Sequence, residues 1–278
     1  MTDCLVNGVA AGSITVEDRG FAYGDGLFET IAWRDGHPRF LDLHWARLIA
    51  GSRLLGLPDP PTDRLEDEIA ALAGGTPAGT VKVIWTRGVG PRGYSPPPLP
   101  VPTRVVTFAA IAPTRADPSP FSLQTLSARA ATHAALAGTK SLNRLDNVLA
   151  RAELARTTAD EGIMLDAQGR LSGGTTSNLF LILEGALVTP DLAAAGIRGV
   201  MRTVVLEEAR RLGGAVREAS LGIDALARAE TAFVTNALIG LRAADTLDGR
   251  AIAGAEHPQV RAIMAALRRR GVAECRES

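Results

Sequence analysis

Near its middle the chain reads Ala134-Ala135-Leu136-Ala137-Gly138-Thr139-Lys140-Ser141-Leu142-Asn143-Arg144, a small, apolar run that leads into a lysine and then an arginine. A lysine that forms a Schiff base must be neutral for part of the time, and burial or a neighbouring cation favours the neutral amine. Periodic apolar residues over 142–157 predict an amphipathic helix that begins right after Lys140. The pattern therefore indicates a reactive amine at a strand-to-helix junction.

Lysine is rare elsewhere in the chain. Of thirty basic residues only Lys82 and Lys140 are lysines, and the others are arginines. Lys82 alternates with Val81 and Val83 in a predicted strand, where a lysine normally faces solvent. Lys140 is therefore the candidate for lysine chemistry.

The composition limits the class of protein. A chain of 278 residues with 46% hydrophobic and 22% charged residues is expected to fold into one or two domains. Its formal net charge is zero, which argues against nucleic-acid and anionic-membrane partners. No apolar run is long enough to span a membrane, and the first residues do not resemble a signal peptide, so we expect a cytoplasmic protein. Cys4 and Cys275 are too few for a disulfide framework or a metal site.

The order of predicted elements favours an α/β protein (α+β) with two domains. The boundary is expected near residue 115, between an N-terminal domain (1–114) and a C-terminal domain (115–278), because 96–102 and 113–120 are rich in proline. The elements predicted in the first domain are a hairpin that begins at 4–9, helices over 43–55 and 64–73, and strands over 81–86 and 104–111. Those in the second are helices over 142–157 and 200–212 and one that includes 260–267, strands over 162–165 and 232–235, and a hairpin over 178–188.

One glycine-rich segment formally matches a dinucleotide-binding motif. The sequence Gly88-Val89-Gly90-Pro91-Arg92-Gly93 follows a predicted strand, but prolines 96–98 prevent the helix that such a motif needs. A dinucleotide site is therefore not expected. Arg92 and Tyr94 make this segment either an anion-binding loop or an ordinary surface connection, and the sequence does not separate the two.

Three features suit a phosphate group. Gly199 precedes a predicted helix, the segment 235–238 follows a predicted strand, and Arg47 lies within the first long helix. Backbone N–H groups at a helix start, together with a fixed guanidinium, are the usual ligands of phosphate. Each feature is weak by itself.

Several motifs together resemble the fold-type IV pyridoxal-phosphate enzymes, the class IV aminotransferase family, and they follow the order of that family over nearly the whole chain. The motifs are Asp18-Arg19-Gly20-Phe21-Ala22-Tyr23-Gly24-Asp25-Gly26-Leu27-Phe28-Glu29-Thr30, His44-Trp45-Ala46-Arg47-Leu48, Lys140-Ser141-Leu142-Asn143-Arg144, Ser177-Asn178-Leu179-Phe180 and Gly199-Val200-Met201-Arg202. Three further segments, 86–95, 142–149 and 235–238, are most similar to the lyases of this family.

The resemblance implies a two-domain fold with pyridoxal 5'-phosphate in the cleft between the domains, and a homodimer. It implies that Lys140 holds the cofactor as a Schiff base and that Arg47 contacts its phosphate. Backbone N–H groups would complete the phosphate site, those of Val200, Met201, Asn236 and Ala237. Arg92 and Tyr94 are expected in the substrate pocket, and no metal is expected.

The chain departs from the family at Gly173, where these enzymes usually carry a glutamate that keeps the pyridine nitrogen protonated. A transaminase depends strongly on the resulting electron sink, whereas an elimination that produces an aromatic ring depends on it less. Gly173 therefore favours a lyase. A water, or a hydroxyl of Thr175 or Thr176, is the candidate replacement at the nitrogen.

The resemblance to the lyases of this family implies that the substrate is 4-amino-4-deoxychorismate, a small molecule, and that the products are 4-aminobenzoate and pyruvate. Lys140 would act as the general base. Three alternatives stay open at this point. They are a D-amino acid or branched-chain type transaminase, a non-catalytic protein that retains the scaffold, and an unrelated α/β protein.

Overall fold

The computed structural model describes residues 3–112 and 119–275. The chain divides into two compact units. The first comprises Met1–Thr114 with Thr139–Asn143, and the second comprises Arg115–Gly138 with Arg144–Ser278. The predicted boundary at residue 115 lies outside the described residues, as does most of the irregular stretch 113–120, so the predicted domain division stays a prediction. The segment that carries Lys140 belongs to the first unit.

One antiparallel sheet forms the centre of the first unit. Its strands are β1 (Asp3–Val6), β2 (Val9–Ala10), β3 (Gly26–Arg34), β4 (His37–Pro38), β5 (Ala78–Thr86) and β6 (Thr103–Ala110). Within the described residues they are ordered β2-β1-β6-β5-β3-β4. The predicted first hairpin is confirmed, because Asn7 and Gly8 connect β1 to β2 with φ of 51° and 86°, as a tight hairpin turn requires.

Two helices, α2 (Leu41–Leu55) and α3 (Thr62–Ala73), cover one face of this sheet. A short helix, α1 (Arg19–Tyr23), precedes β3. The predicted end of α2 is confirmed: Gly56 adopts a φ of 63° and donates to Arg53 and Ser52. The core between helices and sheet is aromatic and aliphatic, and includes Trp33, Trp45, Leu48, Leu65, Ile69, Val81, Val83 and Val106. Lys82 is exposed between buried Val81 and Val83, as predicted.

The second unit contains two sheets. Its strands are β7 (Ser122–Arg129), β8 (Glu161–Leu165), β9 (Leu171–Gly174), β10 (Asn178–Leu183), β11 (Ala186–Pro190), β12 (Val216–Ala219), β13 (Thr231–Asn236), β14 (Gly240–Ala243), β15 (Thr246–Leu247) and β16 (Arg250–Ala251). Among the described residues one sheet has the order β12-β11-β10-β13-β14 and the other β16-β15-β7-β8-β9. The predicted Glu184-Gly185 hairpin turn is confirmed, with both residues at positive φ. Alternating aliphatic side chains of the strands, such as Leu179, Leu181 and Val234, form one core cluster. Phe180 and Phe233 alternate with these residues, are fully buried and stack on each other.

Two helices of the second unit agree with prediction, those that begin at Val200 and Pro258, whereas the first begins later than predicted and the short one at 224–228 was not predicted. The helices of this unit are α4 (Leu145–Leu154), α5 (Val200–Arg211), α6 (Asp224–Arg228) and α7 (Pro258–Arg269), with a 3-10 turn at Gly254–Glu256. The prediction that a helix begins right after Lys140 was wrong. The backbone of Leu142 donates to Gly26 of β3 at 3.0 Å, so this stretch is committed to strand-like pairing and the helix starts only at Leu145. Across the described ranges, no helix is long and apolar enough to cross a membrane.

Candidate active site

The segment around Lys140 lies along β3 of the first unit. Phe28 donates its backbone N–H to the carbonyl of Lys140 at 3.0 Å, and Leu27 pairs with Ser141. The half-buried Lys140 side chain places its Nζ atom 4.1 Å from the centre of the Phe28 ring. The Nζ of Lys82 lies 5.5 Å from the same ring. An aromatic face attracts a cation, so Phe28 orients the amine of Lys140.

A glycine in α2 lets this segment approach the helix. A Cβ at Gly51 would lie 2.9 Å from Leu27 Cδ1 and 3.5 Å from Thr139 Cγ2. The first distance is shorter than packed carbon atoms tolerate. Because Gly51 is one helical turn beyond Arg47, the strand-like segment of Lys140 packs beside the turn that carries the predicted phosphate ligand.

Arg47 is held by a buried carboxylate. Glu29 and His44 are each only 1% exposed. Arg47 donates through Nε to Glu29 Oε1 at 2.8 Å and through a terminal nitrogen to Oε2 at 2.5 Å, while His44 Nδ1 lies 2.6 Å from Oε2. Burial raises the pKa of Glu29, but the charge and hydrogen bonds of Arg47 and His44 outweigh burial and keep that pKa below its ordinary value. The ionised carboxylate thus fixes the guanidinium at two points.

The predicted substrate residues lie in the loop between β5 and β6. Arg92 and Tyr94 are both exposed. The ring of Tyr94 meets that of Tyr23 edge-on, with centres 5.7 Å apart. The loop begins at Gly88, whose φ is 80°. A Cβ at this residue would collide with the carbonyl oxygen of Val101. Only glycine fits there.

In the second unit the start of α5 is fixed by Asn178. Gly199 donates its N–H to Asn178 Oδ1 at 3.1 Å, and Asn178 Nδ2 donates to the carbonyl of Ile197 at 2.7 Å. Among the hydrogen bonds between described residues, none is donated by the backbone N–H of Val200 or Met201. The first N–H groups of a helix have no partner within it and favour an anion. The N–H groups of Val200 and Met201 are therefore of the kind that an anion prefers, and their contact with a phosphate stays a prediction.

Asn236 shapes the second predicted phosphate segment. Its Oδ1 accepts from the N–H groups of Leu238 and Ile239 at 2.9 and 3.0 Å, and its Nδ2 donates to the carbonyl of Thr176 at 3.3 Å. The side chain thereby closes a turn around Ala237. The strands β10 and β13 pair Asn178 directly with Thr235. The start of α5 and the turn at 236–239 are therefore both attached to the beginning of β10.

The backbone at Gly173 excludes the family glutamate from this position. Gly173 has a φ of 146°, and a Cβ there would lie 2.9 Å from the carbonyl oxygen of Ser177. Any other residue would strain this part of β9. The neighbouring sequence Thr175-Thr176-Ser177 instead surrounds a different carboxylate.

That carboxylate belongs to Glu161, which is 4% exposed at the start of β8. Its oxygens accept from the hydroxyls of Thr175, Thr176 and Ser177 and from the N–H groups of Gly162 and Thr175. Because the hydroxyl protons are directed at Glu161, the two threonine hydroxyls have only lone pairs left to offer. They can accept a hydrogen bond from a protonated ring nitrogen, but they have no proton left for a neutral one.

The residues that support the predicted ligands were not predicted from the sequence. These are Glu29 and His44 beside Arg47, Asn178 beside Gly199, and Glu161 below the threonines. All but Glu161 stand inside the motifs quoted above, so the signal was present. Their partners are remote in sequence, and only the strand register and helix packing reveal them.

Comparison with known proteins places the chain in a family. The family model described as amino-transferase class IV matches residues 26–246, most of the chain. The chain belongs to the class IV aminotransferase family. It is 31% identical over 238 residues to the aminodeoxychorismate lyase of Vibrio harveyi, a match that covers 85% of this chain and 88% of the relative. It is also 28% identical to a putative branched-chain-amino-acid aminotransferase of Methanocaldococcus jannaschii, over 86% of this chain and 84% of that protein.

The fold is shared with solved members of the class IV aminotransferase family. The crystal structure of 4-amino-4-deoxychorismate lyase from Pseudomonas aeruginosa is 39% identical, with a TM-score of 0.87, and the match covers 96% of this chain and 98% of that one. The predicted fold class is thereby confirmed. Enzymes of this class depend on pyridoxal phosphate. The residues of each unit, taken by itself, have the chemistry that this cofactor needs. The first unit has an amine beside an aromatic ring and a guanidinium fixed by a carboxylate, which suit an aldehyde and a phosphate, and the second has N–H groups at a helix start, which suit a phosphate.

Proposed function

We propose that the protein is an aminodeoxychorismate lyase, which converts 4-amino-4-deoxychorismate into 4-aminobenzoate and pyruvate. The likeness to the Pseudomonas aeruginosa lyase carries this proposal, at 39% identity over nearly the full length of both chains. The lyase of Vibrio harveyi supports it at 31% identity. In this role the protein would act in the synthesis of 4-aminobenzoate and hence of folate.

The proposed cofactor is pyridoxal 5'-phosphate, bound covalently through Lys140 Nζ. When bound, the cofactor supplies an electron sink for the carbon that carries the substrate amine. Arg47 holds the phosphate with a guanidinium already fixed by Glu29. The N–H groups of Val200 and Met201, and those of Asn236 and Ala237, complete the phosphate contacts.

Lys140 carries out the proton transfer in this proposal. The substrate amine would replace Lys140 on the cofactor, and the amine of Lys140 released in this way would remove the proton from the amine-bearing ring carbon, a general-base step. The bond between the neighbouring ring carbon and the ether oxygen breaks, the ring becomes aromatic, and the enolpyruvyl group leaves with the electron pair. Protonation at the methylene carbon of that group yields pyruvate. Arg92 binds a substrate carboxylate, with Tyr94 beside it.

Gly173 supports elimination over transamination. The backbone at this position has no room for a side chain, and Glu161 is saturated by donors. The hydroxyl oxygens of Thr175 and Thr176 are therefore the proposed neighbours of the ring nitrogen. A neutral oxygen stabilises a pyridinium less than a carboxylate does, which suits a reaction driven by aromaticity.

We further propose a cytoplasmic homodimer whose domains are 1–114 and 115–278. An exposed apolar stripe on α4 supports the dimer. Leu145, Val148 and Leu149 lie three and four residues apart on one helix face and are 77%, 59% and 66% exposed. Such a contiguous stripe is typical of a surface that a partner covers.

Product analysis tests the function. The purified protein, loaded with pyridoxal phosphate, should release 4-aminobenzoate and pyruvate in equal amounts from 4-amino-4-deoxychorismate without any keto acid. Lys140→Ala should abolish both turnover and the visible absorbance of the lysine–cofactor imine. Turnover only in the presence of a keto-acid acceptor would instead identify a transaminase. A colourless protein without turnover would identify a non-catalytic one.

A further inference from the structure

Arg19 is a buried cation directed at the loop that carries Arg92 and Tyr94. It is 3% exposed, and its Nε donates to Asp25 Oδ2 at 2.9 Å. The terminal nitrogens donate to backbone carbonyls of the loop, those of Pro91 at 3.3 Å, Gly93 at 2.9 Å, Tyr94 at 3.1 Å and Ser95 at 3.4 Å. One guanidinium therefore contacts four of the five carbonyls from residue 91 to residue 95.

The charge balance explains why the loop carbonyls are needed. Asp25 Oδ2 also accepts from Arg87 Nε at 2.7 Å, so one carboxylate faces two guanidinium groups. Burial raises the pKa of Asp25, but the hydrogen bonds and charges of Arg87 and Arg19 together lower it by more. The net pKa lies below its ordinary value, so the carboxylate is ionised. Arg87 directs its terminal nitrogens to the carbonyls of Leu55 and Gly56 at the end of α2. Arg19 shares its only carboxylate partner in these hydrogen bonds with Arg87, and the carbonyl dipoles of the loop supply the additional negative charge density around its guanidinium.

Tyr23 holds the same loop from a second side. Gly93 donates its N–H to the Tyr23 hydroxyl at 2.8 Å, and the rings of Tyr23 and Tyr94 meet edge-on. The Arg19 Cζ atom lies 4.8 Å from the centre of the Tyr23 ring. Arg19 and Tyr23 are the first and last residues of α1, whose N-cap Asp18 accepts from Gly20. This short helix therefore presents both anchors together.

The outer side of the loop is available to a ligand. Arg92 and Tyr94 are exposed, and within the described ranges the Arg92 guanidinium has neither a hydrogen bond nor an ion pair. Most of the loop backbone is fixed by α1 rather than by strand pairing. A fixed backbone presents an arginine and a phenol with little ordering cost on binding.

We propose that Arg19 is a positioning residue for substrate binding, which fixes the 91–95 loop so that Arg92 and Tyr94 are preorganised for a carboxylate of the substrate. The inference rests on the proposed function, because it takes the loop to be part of the substrate site. It assigns Arg19 no part in proton transfer. Loss of the anchor should therefore weaken substrate binding and leave the chemical step intact.

Arg19→Lys tests this directly, because the ammonium keeps the charge opposite Asp25 but cannot reach four carbonyls. We expect KM for 4-amino-4-deoxychorismate to rise about tenfold, with kcat within about twofold of the parent enzyme. Tyr23→Phe removes only the hydroxyl that accepts from Gly93, so it should shift KM in the same direction by a smaller factor. This mild variant keeps the test valid if Arg19→Lys does not fold.

Limited trypsin digestion provides a readout that needs no turnover. The bond between Arg92 and Gly93 should be cleaved faster in both variants, as seen by mass spectrometry. Arg87→Lys is the matched control, because it alters the other partner of Asp25 but not the loop, and it should leave both KM and this cleavage as in the parent. All three proteins should retain the cofactor absorbance.

Unchanged cleavage at 92–93 in Arg19→Lys and Tyr23→Phe would overturn the anchoring role. Faster cleavage with an unchanged KM, or a fall in kcat alone, would overturn the link to substrate binding. If the parent enzyme shows no lyase turnover, the proposed function and the link to its substrate both fail. The cleavage result would still decide whether Arg19 fixes the loop.

Discussion

Glu29 and Arg47 form a two-point ion pair, with N···O distances of 2.8 and 2.5 Å, between the interior of β3 and the middle of α2. The carboxylate is buried and the guanidinium is 15% exposed at its side chain. A buried carboxylate whose two oxygens both accept hydrogen bonds from one arginine fixes the position of that guanidinium before any ligand binds. The pair therefore prepares Arg47 for an anion and also joins the helix to the sheet.

Replacing Glu29 by glutamine should weaken cofactor binding. Glutamine lacks the charge and the second acceptor oxygen that hold the guanidinium at two points, so Arg47 would be positioned less precisely and we expect the affinity for pyridoxal phosphate to fall about tenfold. Equilibrium dialysis of the apoenzyme against the cofactor measures this affinity. Asp59→Asn, which removes the exposed partner of Arg53, should leave the affinity unchanged. An unaltered affinity in Glu29→Gln would show that phosphate binding does not depend on the positioning of Arg47 by Glu29.

The same pair makes stability depend on pH in a defined direction. The pKa of Glu29 is lower in the folded protein than its ordinary value of 4.5, so ionised Glu29 stabilises the fold. The contribution is complete above the ordinary pKa and is lost as pH falls through the folded pKa. Urea unfolding should therefore show that the stability gap between the parent and Glu29→Gln is constant near neutral pH and narrows in acid. A gap that widens in acid would contradict this assignment.

Two substitutions at Asn178 should separate helix stability from phosphate binding. Asn178→Ala removes the bonds to Gly199 and Ile197 and should cost about 1–3 kcal/mol of unfolding free energy. Asn178→Asp keeps the acceptor and places a negative charge at the start of α5, so the apoenzyme should be more stable than Asn178→Ala. The same charge repels phosphate, so the aspartate variant should bind the cofactor more weakly than the alanine variant. Identical rankings in the two assays would refute this role.

Restoring the family glutamate should fail in this chain. Gly173→Glu forces a side chain into a backbone at φ of 146° and against the carbonyl of Ser177. We expect a loss of about 1–3 kcal/mol in stability and no gain of transaminase activity. Gly173→Ala is the control and should lose a similar amount, because the backbone rather than the carboxylate causes the cost. A stable Gly173→Glu enzyme that transaminates keto acids would contradict the prediction.

The apolar stripe on α4 predicts the behaviour of the assembly. Leu149→Glu places a charge in the middle of the stripe and should convert a dimer into a monomer, because an unpaired buried charge is costly. Sedimentation velocity measures the change. Leu54→Glu, at an isolated exposed leucine of α2, should leave the assembly intact. A parent protein that is already monomeric would refute the proposed dimer.

About half of the described elements were predicted from the sequence, those in which local signals and packing agree, whereas the long strands β3 and β7 were not predicted. The bounds of β10 were predicted to the residue, since its continuous apolar run is bounded by Asn178 and by the Glu184-Gly185 turn. The start of α4 was mispredicted because the helical period begins at Leu142, while the backbone of Leu142 bonds to β3. A residue more than a hundred positions away decided the outcome, and no local pattern contains it.

In the candidate site, too, some residues are recognisable from the sequence and others only from the tertiary structure. Lys140 and Arg47 are recognisable from their motifs, because their chemistry demands particular residue types. Their supports depend on strand register and helix placement. Glu29 reaches Arg47 only because β3 packs under α2, and Asn178 reaches Gly199 only because β10 starts beside α5.

The scarcity of lysine and the position of Phe28 give this protein an unusual experimental handle. Both ε-amines of the chain approach one aromatic ring, Lys140 at 4.1 Å and Lys82 at 5.5 Å from its centre. Once Lys140 is bound to the cofactor, the ε-amine of Lys82 is the one lysine side chain left for an acylating dye. Lys82 lies beside the same Phe28 ring as Lys140. A fluorophore attached there would report occupancy of the neighbouring amine by quenching, without any engineered label.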